Sequence, residues 1–250
     1  IAMGVSRADL IRWPVHYDAV DPDTTRFVPL DFQSPLTLRQ ILTEHPKGRD
    51  YGHIVASFPK FPLLSDHQGE VLTFPPVINS ALIGGVQVGD SRLFIDLTGP
   101  DLEPLLTACA ITACDFADMG FTILPVRVEY PYDSPMGRQV VTPLRFQKEV
   151  AVDLAAAEKR LGDSFTAEEA AAFIRKMGSS VRVEGKRLFV MPPEYRDDFM
   201  HPVDAVEEIM IGRGMESFAP VMPRDFTVGR LSPSEEHGRR VREIMVGLGY

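Results

Sequence analysis

The chain has 250 residues, with 26 Lys and Arg against 35 Asp and Glu, a formal net charge of −9. That balance argues against a broad nucleic-acid-binding face while leaving room for a local basic patch. Hydrophobic residues make up 44%, enough for a sizeable core, and no apolar run approaches the ~18 residues of a membrane span.

Residues 1–31 read as loop-rich, with Trp13 and Tyr17 as packing residues. Ser34-Pro35 opens a helix with a Ser cap, Leu38, Ile41 and Leu42 sharing one face; it closes near His45-Pro46-Lys47-Gly48. A short helix or turn follows over 50–57. Leu63 to Thr73 reads as a β-hairpin turning at His67-Gln68-Gly69.

Two short apolar segments then end in polar groups: Phe74-Pro75-Pro76-Val77-Ile78 runs into Asn79 and Ser80, and Leu93-Phe94-Ile95 runs into Asp96, with Thr98 beyond. Period-2 alternation puts Asp96 and Thr98 on one face and Leu97 on the other. An acid and a hydroxyl projecting together from a β-rich core form a candidate recognition site; the bland alternative is a strand end with a turn Asp. The Gly84–Gly89 segment lacks the Lys-Ser/Thr of a phosphate loop, and no helix follows it.

Asp101 caps a helix whose stripe from Leu102 through Cys109 to Phe116 is expected to pack on a sheet, making the region α+β or mixed α/β. Thr122–Tyr130 returns as a strand, and Pro131–Pro143 reads as a domain boundary. Cys109 and Cys114 point in different directions on this helix, so no disulfide is expected between them. With no signal peptide either, the chain is expected to be soluble and cytoplasmic.

Beyond the boundary, a strand at 149–154, a helix at 155–161, a Thr166–Glu169 capping box and a hairpin at 181–190 form a compact helix-plus-hairpin module. A last helix at 203–211 carries Asp204, Glu207 and Glu208 on one face and Val206, Ile209 and Met210 on the other. Asp198, just upstream, reaches the same point. An oxygen-only set of this kind suits Mg²⁺; the alternative is a solvated acidic face favoured by the helix dipole. The six histidines have no ligand spacing. Ile1 in place of an initiator Met, and the stop after Gly247-Leu248-Gly249-Tyr250, read as cuts through a longer polypeptide.

Taken together, Leu36–Leu42, Glu44–Gly48, Gly69–Leu72, Phe74–Ser80, Leu93–Gly99, Met200–Asp204 and Phe226–Pro233, with Val28-Pro29-Leu30, resemble the β subunit of phenylalanyl-tRNA synthetases of the archaeal and eukaryotic type. The resemblance implies three parts: a mixed α/β B3/B4-type editing domain over 1–140, a small winged-helix-like B5 domain over 141–212, and the linker and first helix of a catalytic-like core over 213–250. It implies a ligase subunit working with an α subunit in a heterotetramer and with tRNA(Phe), and hydrolytic editing of mischarged Tyr-tRNA(Phe). Asp96, Thr98 and Thr73 would be the catalytic and hydrogen-bonding groups, with Leu64 and Asn79 binding substrate. Asp198, Asp204, Glu207 and Glu208 match the family's Mg²⁺ positions, a site shared with the α subunit. No ATP motif is visible, so aminoacylation by this chain alone is not expected. Two departures stand out: Thr73 where Ser is common, and an apolar, Gly-rich Ala81–Val88. The alternative reading is an editing-inactive module for assembly and tRNA docking. A nucleic-acid-binding B5 unit is disfavoured by its low basicity.

Overall fold

The computed structural model describes residues 1–222 and 228–250. Strand β1 (Ala2–Arg7) opens the chain, followed by β2 (His16–Val20), β3 (Arg26–Phe27) and β4 (Leu36–Thr37). Helix α1 (Leu38–Glu44) begins one turn later than the Ser34 cap suggests. Thr37 is the cap: its hydroxyl accepts the Gln40 N–H while the Gln40 side chain accepts the Thr37 N–H, a reciprocal box that satisfies two otherwise unpartnered donors. Leu36 and Thr37 are held before it by pairing with Phe27 and Arg26.

The helix does not run on through His45. His45 caps a second helix, α2 (Pro46–Tyr51), its ring Nδ1 accepting the Lys47 N–H. Strands β5 (Phe61–Ser65), β6 (Val71–Phe74) and β7 (Ile78–Asn79) join β2 in an antiparallel sheet of order β2-β5-β6-β7. Phe61 and Phe74 stack at 5.7 Å inside a core with Leu38, Ile41 and Leu63. Strand β8 (Leu93–Thr98) crosses back to pair with β1, Gly4 directly opposite Asp96.

Helix α3 (Leu102–Asp118) forms as its periodicity predicts, yet only Ala110 of its stripe is fully buried. Trp13 and Tyr17 also stand largely exposed, Trp13 resting edge-on against Phe94 at 5.3 Å. The stretch expected to be a boundary, 131–143, is mostly strand: β9 (Val126–Ser134) and β10 (Gly137–Thr142) form a hairpin. The Pro135-bearing turn is closed by Ser134, whose hydroxyl donates to the Gly137 carbonyl, and Gly137 takes a φ of +86° that favours glycine.

The second half has its own core. Strand β11 (Val150–Asp153), helices α4 (Leu154–Leu161) and α5 (Ala167–Lys176), strands β12 (Ser180–Glu184) and β13 (Arg187–Met191), and helix α6 (Pro202–Arg213) bury Val152, Ile174, Leu188, Val190 and Ile209. The sheet runs β11-β13-β12. Helix α6 presses so closely on α5 that a Cβ on Gly212 would collide with the Phe173 backbone. Helix α7 (Pro233–Gly247) ends the chain with no buried residue. Part of the Phe226–Pro233 motif, Phe226 and Thr227, lies outside the described residues. Among the described residues no helix is long and apolar enough to cross a membrane.

Ile174 is fully enclosed, so Ile174→Ala is expected to destabilise this half by about 2–5 kcal/mol in urea unfolding followed by circular dichroism. A loss below about 1 kcal/mol would mean the site is looser than described.

Candidate functional site

A cavity of about 220 Å³ opens between the β1–β8 pair and the edge of the four-stranded sheet. Asp96 and Thr98 reach it from β8, Thr73 from β6 and Asn79 from β7. Its apolar wall comes from Leu30, Pro75, Pro76, Val77 and Ile78, with Lys47 and Tyr51 of α2 at the edge. For scale, a cavity of about 150 Å³ in another protein is known to take up benzene. This one is large enough for an aromatic ring with a polar tip.

Leu64 is a correction. It stands directly across from Thr73 in the sheet but packs into a small core with Ile11, Leu72 and Ile83 and does not line the cavity. The strand carries a bulge between Leu64 and Ser65. Thr73 donates to the Ile78 carbonyl at 3.4 Å, and Asn79 donates to the Val5 carbonyl at 3.2 Å, tying the two sheets together beside the cavity.

Two buried aspartates in this half have opposite environments. Asp66 is 3% exposed and accepts the backbone N–H groups of Arg12, Gln68 and Glu70. Burial raises its pKa, but those donors and the Arg12 charge outweigh it and hold the carboxyl below its ordinary value. Asp96 is 8% exposed, and its buried Oδ1 has no hydrogen-bond partner. Desolvation pushes its pKa up to about 6, against a small opposing pull from its own N–H. Asp66 is a turn brace. Asp96 is a buried carboxyl in the cavity wall with one oxygen unpartnered.

Gly4 makes room for it. A Cβ at Gly4 would lie 2.8 Å from Asp96 Oδ2 and 2.9 Å from Cγ, closer than such atoms come. Sequence pattern gave no hint of Gly4, because it lies one strand away and only the β1–β8 register brings it opposite. Lys47 and Tyr51 were missed for a similar reason: Lys47 sat in what read as a helix end and Tyr51 in what read as a short helix or turn.

Strand β8 also partitions space. Ile95 and Leu97 face a second, larger cavity of about 740 Å³, walled by Trp13, Phe94, Phe116, Phe121 and Leu124. It is mainly apolar, as the alternation of β8 requires, and no unpartnered buried acceptor points into it.

Residues 150–215 match the tRNA synthetase B5 domain family. The whole chain aligns with the phenylalanine–tRNA ligase beta subunit of Borrelia turicatae at 44% identity over 251 residues, covering 44% of that protein. It aligns equally well with that of Borreliella burgdorferi, at 44% identity over 252 residues and again 44% of its length. In three dimensions it resembles the N-terminal fragment of the phenylalanyl-tRNA synthetase beta subunit from Pyrococcus horikoshii, with a TM-score of 0.79 and 35% identity. That match covers 85% of this chain and 60% of the other. The chain is similar to the phenylalanine–tRNA ligase beta subunit. It spans less than half the length of the curated beta subunits it matches.

Within the B5 segment, the acidic residues do not gather as their helical spacing suggests. Glu208 is 3% exposed and lies on the inner face of α6 beside Ala205 and Ile209, whereas Glu207 is exposed. The Arg196 guanidinium stands between Asp198 and Glu208, contacting Asp198 at 2.7 Å and 2.9 Å and Glu208 Oε1 at 3.1 Å. The hydrogen bond and charge of Arg196 hold the Asp198 carboxyl below its ordinary value. Asp204 Oδ2 is taken by the N–H groups of Met200 and His201 at the start of α6. Glu208 Oε2 is a buried acceptor without a partner, the kind of atom a cation satisfies. Among the described residues, however, no three candidate ligands converge. Among the described residues the four carboxylates form no ligand cluster: Arg196 pairs with Asp198 and with Glu208 Oε1, and backbone N–H groups take Asp204 Oδ2.

The raised pKa of Asp96 makes stability pH-dependent in a defined sense. The folded state holds this proton up to about pH 6, the unfolded chain only to its ordinary value of 3.8. The Asp96 contribution to stability is therefore greatest below the lower value and falls as pH rises toward the upper one, by at most about 3 kcal/mol. Urea unfolding at a series of pH values is expected to show this decline as the difference between the native chain and Asp96→Asn, in which the other carboxyls cancel. Equal slopes would contradict the assignment.

Proposed function

We propose that this chain is part of the beta subunit of a phenylalanine–tRNA ligase of the archaeal and eukaryotic type, and that the Asp96 cavity hydrolyses tyrosine from mischarged tRNA(Phe). The observation that carries the reading is the buried, unpartnered Asp96 oxygen in a ring-sized cavity. An aromatic pocket selecting phenylalanine rejects an added hydroxyl poorly, so errors must be removed elsewhere, at a site that requires the hydroxyl. A tyrosine phenol donates to Asp96 and relieves its desolvation. A phenylalanine ring leaves the carboxylate buried and unpaired, which is costly. Discrimination thus lies in a single hydrogen bond to a charged acceptor.

Thr98, Thr73 and Asn79 shape the polar wall around the ring, and Leu30 and Val77 close the apolar side. No Ser or Cys nucleophile with a base is placed at the cavity, so water adds directly to the ester carbonyl and the ribose oxygen leaves with a proton. Under this reading residues 1–140 carry editing, 141–212 form the B5 unit, and 213–250 lead toward a catalytic-like core. Partners are an α subunit and tRNA(Phe), in the cytoplasm. ATP-dependent ligation belongs to the assembled enzyme. The Mg²⁺ site is proposed for that assembly alone, with the α subunit supplying ligands and Arg196 withdrawn from Glu208.

The test is hydrolysis of Tyr-tRNA(Phe) by this chain and by Asp96→Ala. The expected loss is about 10²-fold or more, with Phe-tRNA(Phe) a poor substrate for the unaltered chain. Equal, negligible rates for both proteins would sink the editing reading and leave a module for assembly and docking.

A further inference from the structure

Helix α2 is seated with unusual firmness for so short and exposed an element. His45, 2% exposed, uses both ring nitrogens: Nε2 donates to the Leu30 carbonyl at 3.0 Å, and Nδ1 accepts the Lys47 N–H at 3.1 Å. Its ring also packs against Phe32 at 4.8 Å. Gly48 faces α1 so closely that a Cβ would lie 2.6 Å from the Ile41 carbonyl carbon and 2.8 Å from Leu42 Cα. Leu30, whose carbonyl His45 holds, is itself a wall of the Asp96 cavity. The helix and the cavity are thus fastened to each other.

What this seating presents is a pair of exposed side chains on one helical face. Lys47 and Tyr51 are spaced i, i+4, so they lie one above the other. The Lys47 ammonium sits 5.6 Å from the centroid of the Tyr51 ring. Both border the cavity, and Lys47 is the one cationic side chain among its lining residues. Tyr51 is 44% exposed. In a chain with a net charge of −9, contact with a polyanion has to be made at chosen points, and a cation beside an exposed aromatic ring is the pairing that single-stranded nucleic acids require.

We infer that Lys47 and Tyr51 form the RNA-facing rim of the cavity, Lys47 engaging a backbone phosphate of a single-stranded 3′ end and Tyr51 stacking on a base while the esterified amino acid enters toward Asp96. The inference rests on the editing reading for the direction of entry. The rim itself is defined by the seating of α2 and is tested without catalysis. The two residues are positioning residues: they hold the polynucleotide, and the amino-acid side chain is selected deeper, at Asp96.

The experiment uses this chain and a short single-stranded RNA ending in CCA-3′, labelled for fluorescence anisotropy over a range of salt concentrations. Lys47→Gln is expected to weaken binding about tenfold and to reduce the slope of log K against log salt by about 0.7, the contribution of one single-strand phosphate contact. Tyr51→Leu is expected to weaken binding about fivefold or more with the slope retained. Lys60→Gln, an exposed lysine elsewhere in the same half, controls for general charge and should change neither. In parallel, free L-tyrosine binding by calorimetry to the unaltered chain and to Asp96→Ala reads the deeper site by itself. Unchanged RNA affinity and slope in both rim variants would overturn the inference, whatever the hydrolytic activity. An equal effect of Lys60→Gln would also overturn it. Failure of the editing reading shows separately, as absence of tyrosine binding and of any Asp96→Ala effect on hydrolysis.

Discussion

An ionisable carboxyl enclosed without a partner is a costly thing to build into a small β-rich core, and the first half of this chain is arranged around one. Asp96 sits in the middle of β8 with Oδ1 unpaired. Its neighbours keep it so. The β1 strand crosses it at Gly4, the one residue type whose missing Cβ leaves the carboxylate space. The alternation of β8 sends Ile95 and Leu97 to the opposite cavity, so Asp96 and Thr98 share the polar one. Asn79 pins β7 to the Val5 carbonyl and closes the gap between the sheets. Each of these shapes the cavity beside Asp96.

A carboxylate means what its partners make it mean. Asp66, as deeply buried as Asp96, is saturated by backbone donors and closes a turn. Asp204 does the same at the head of α6. Glu208 is paired on one oxygen by Arg196 and unpaired on the other. Sequence spacing treats these four alike; only the positions of N–H groups and guanidinium separate them. A buried ion pair of the Arg196–Glu208 kind is weak evidence for stability, but removing Arg196 would leave Glu208 charged and enclosed, which is the costlier state.

Much of the site was legible before any coordinates. The period-2 alternation of Leu93–Thr98 placed Asp96 and Thr98 together correctly, because strand geometry is rigid enough for face to follow from parity. The Thr166 capping box and the α5 and α6 helices were legible for the same local reason. What failed was non-local. Leu64 packs with Ile11 and Ile83, residues distant in sequence, instead of lining the cavity, and matching positions to a family cannot show that partnership. Pro131 and Pro135 read as a linker, yet alternating Val126, Val128 and Tyr130 pair with β10 across a turn that Ser134 and Gly137 close. The helix end at His45 was legible, but the separate helix α2 that His45 caps depends on a ring that also bonds Leu30, a contact between residues 15 apart. Glu208 was read as outward, yet it shares the buried face of α6 with Ala205 and Ile209, where Arg196 of the preceding extended segment pairs with it.

The central claim is that Asp96 is a buried acceptor awaiting a phenol, and a ¹³C NMR titration of its side-chain carboxyl tests it most directly. A midpoint near 6 is expected in the free protein. Saturating L-tyrosine should move it downward, since a hydroxyl donor stabilises the charged form, while L-phenylalanine should not lower it. A midpoint in the ordinary carboxylate range of about 3.9, indifferent to tyrosine, would contradict the account.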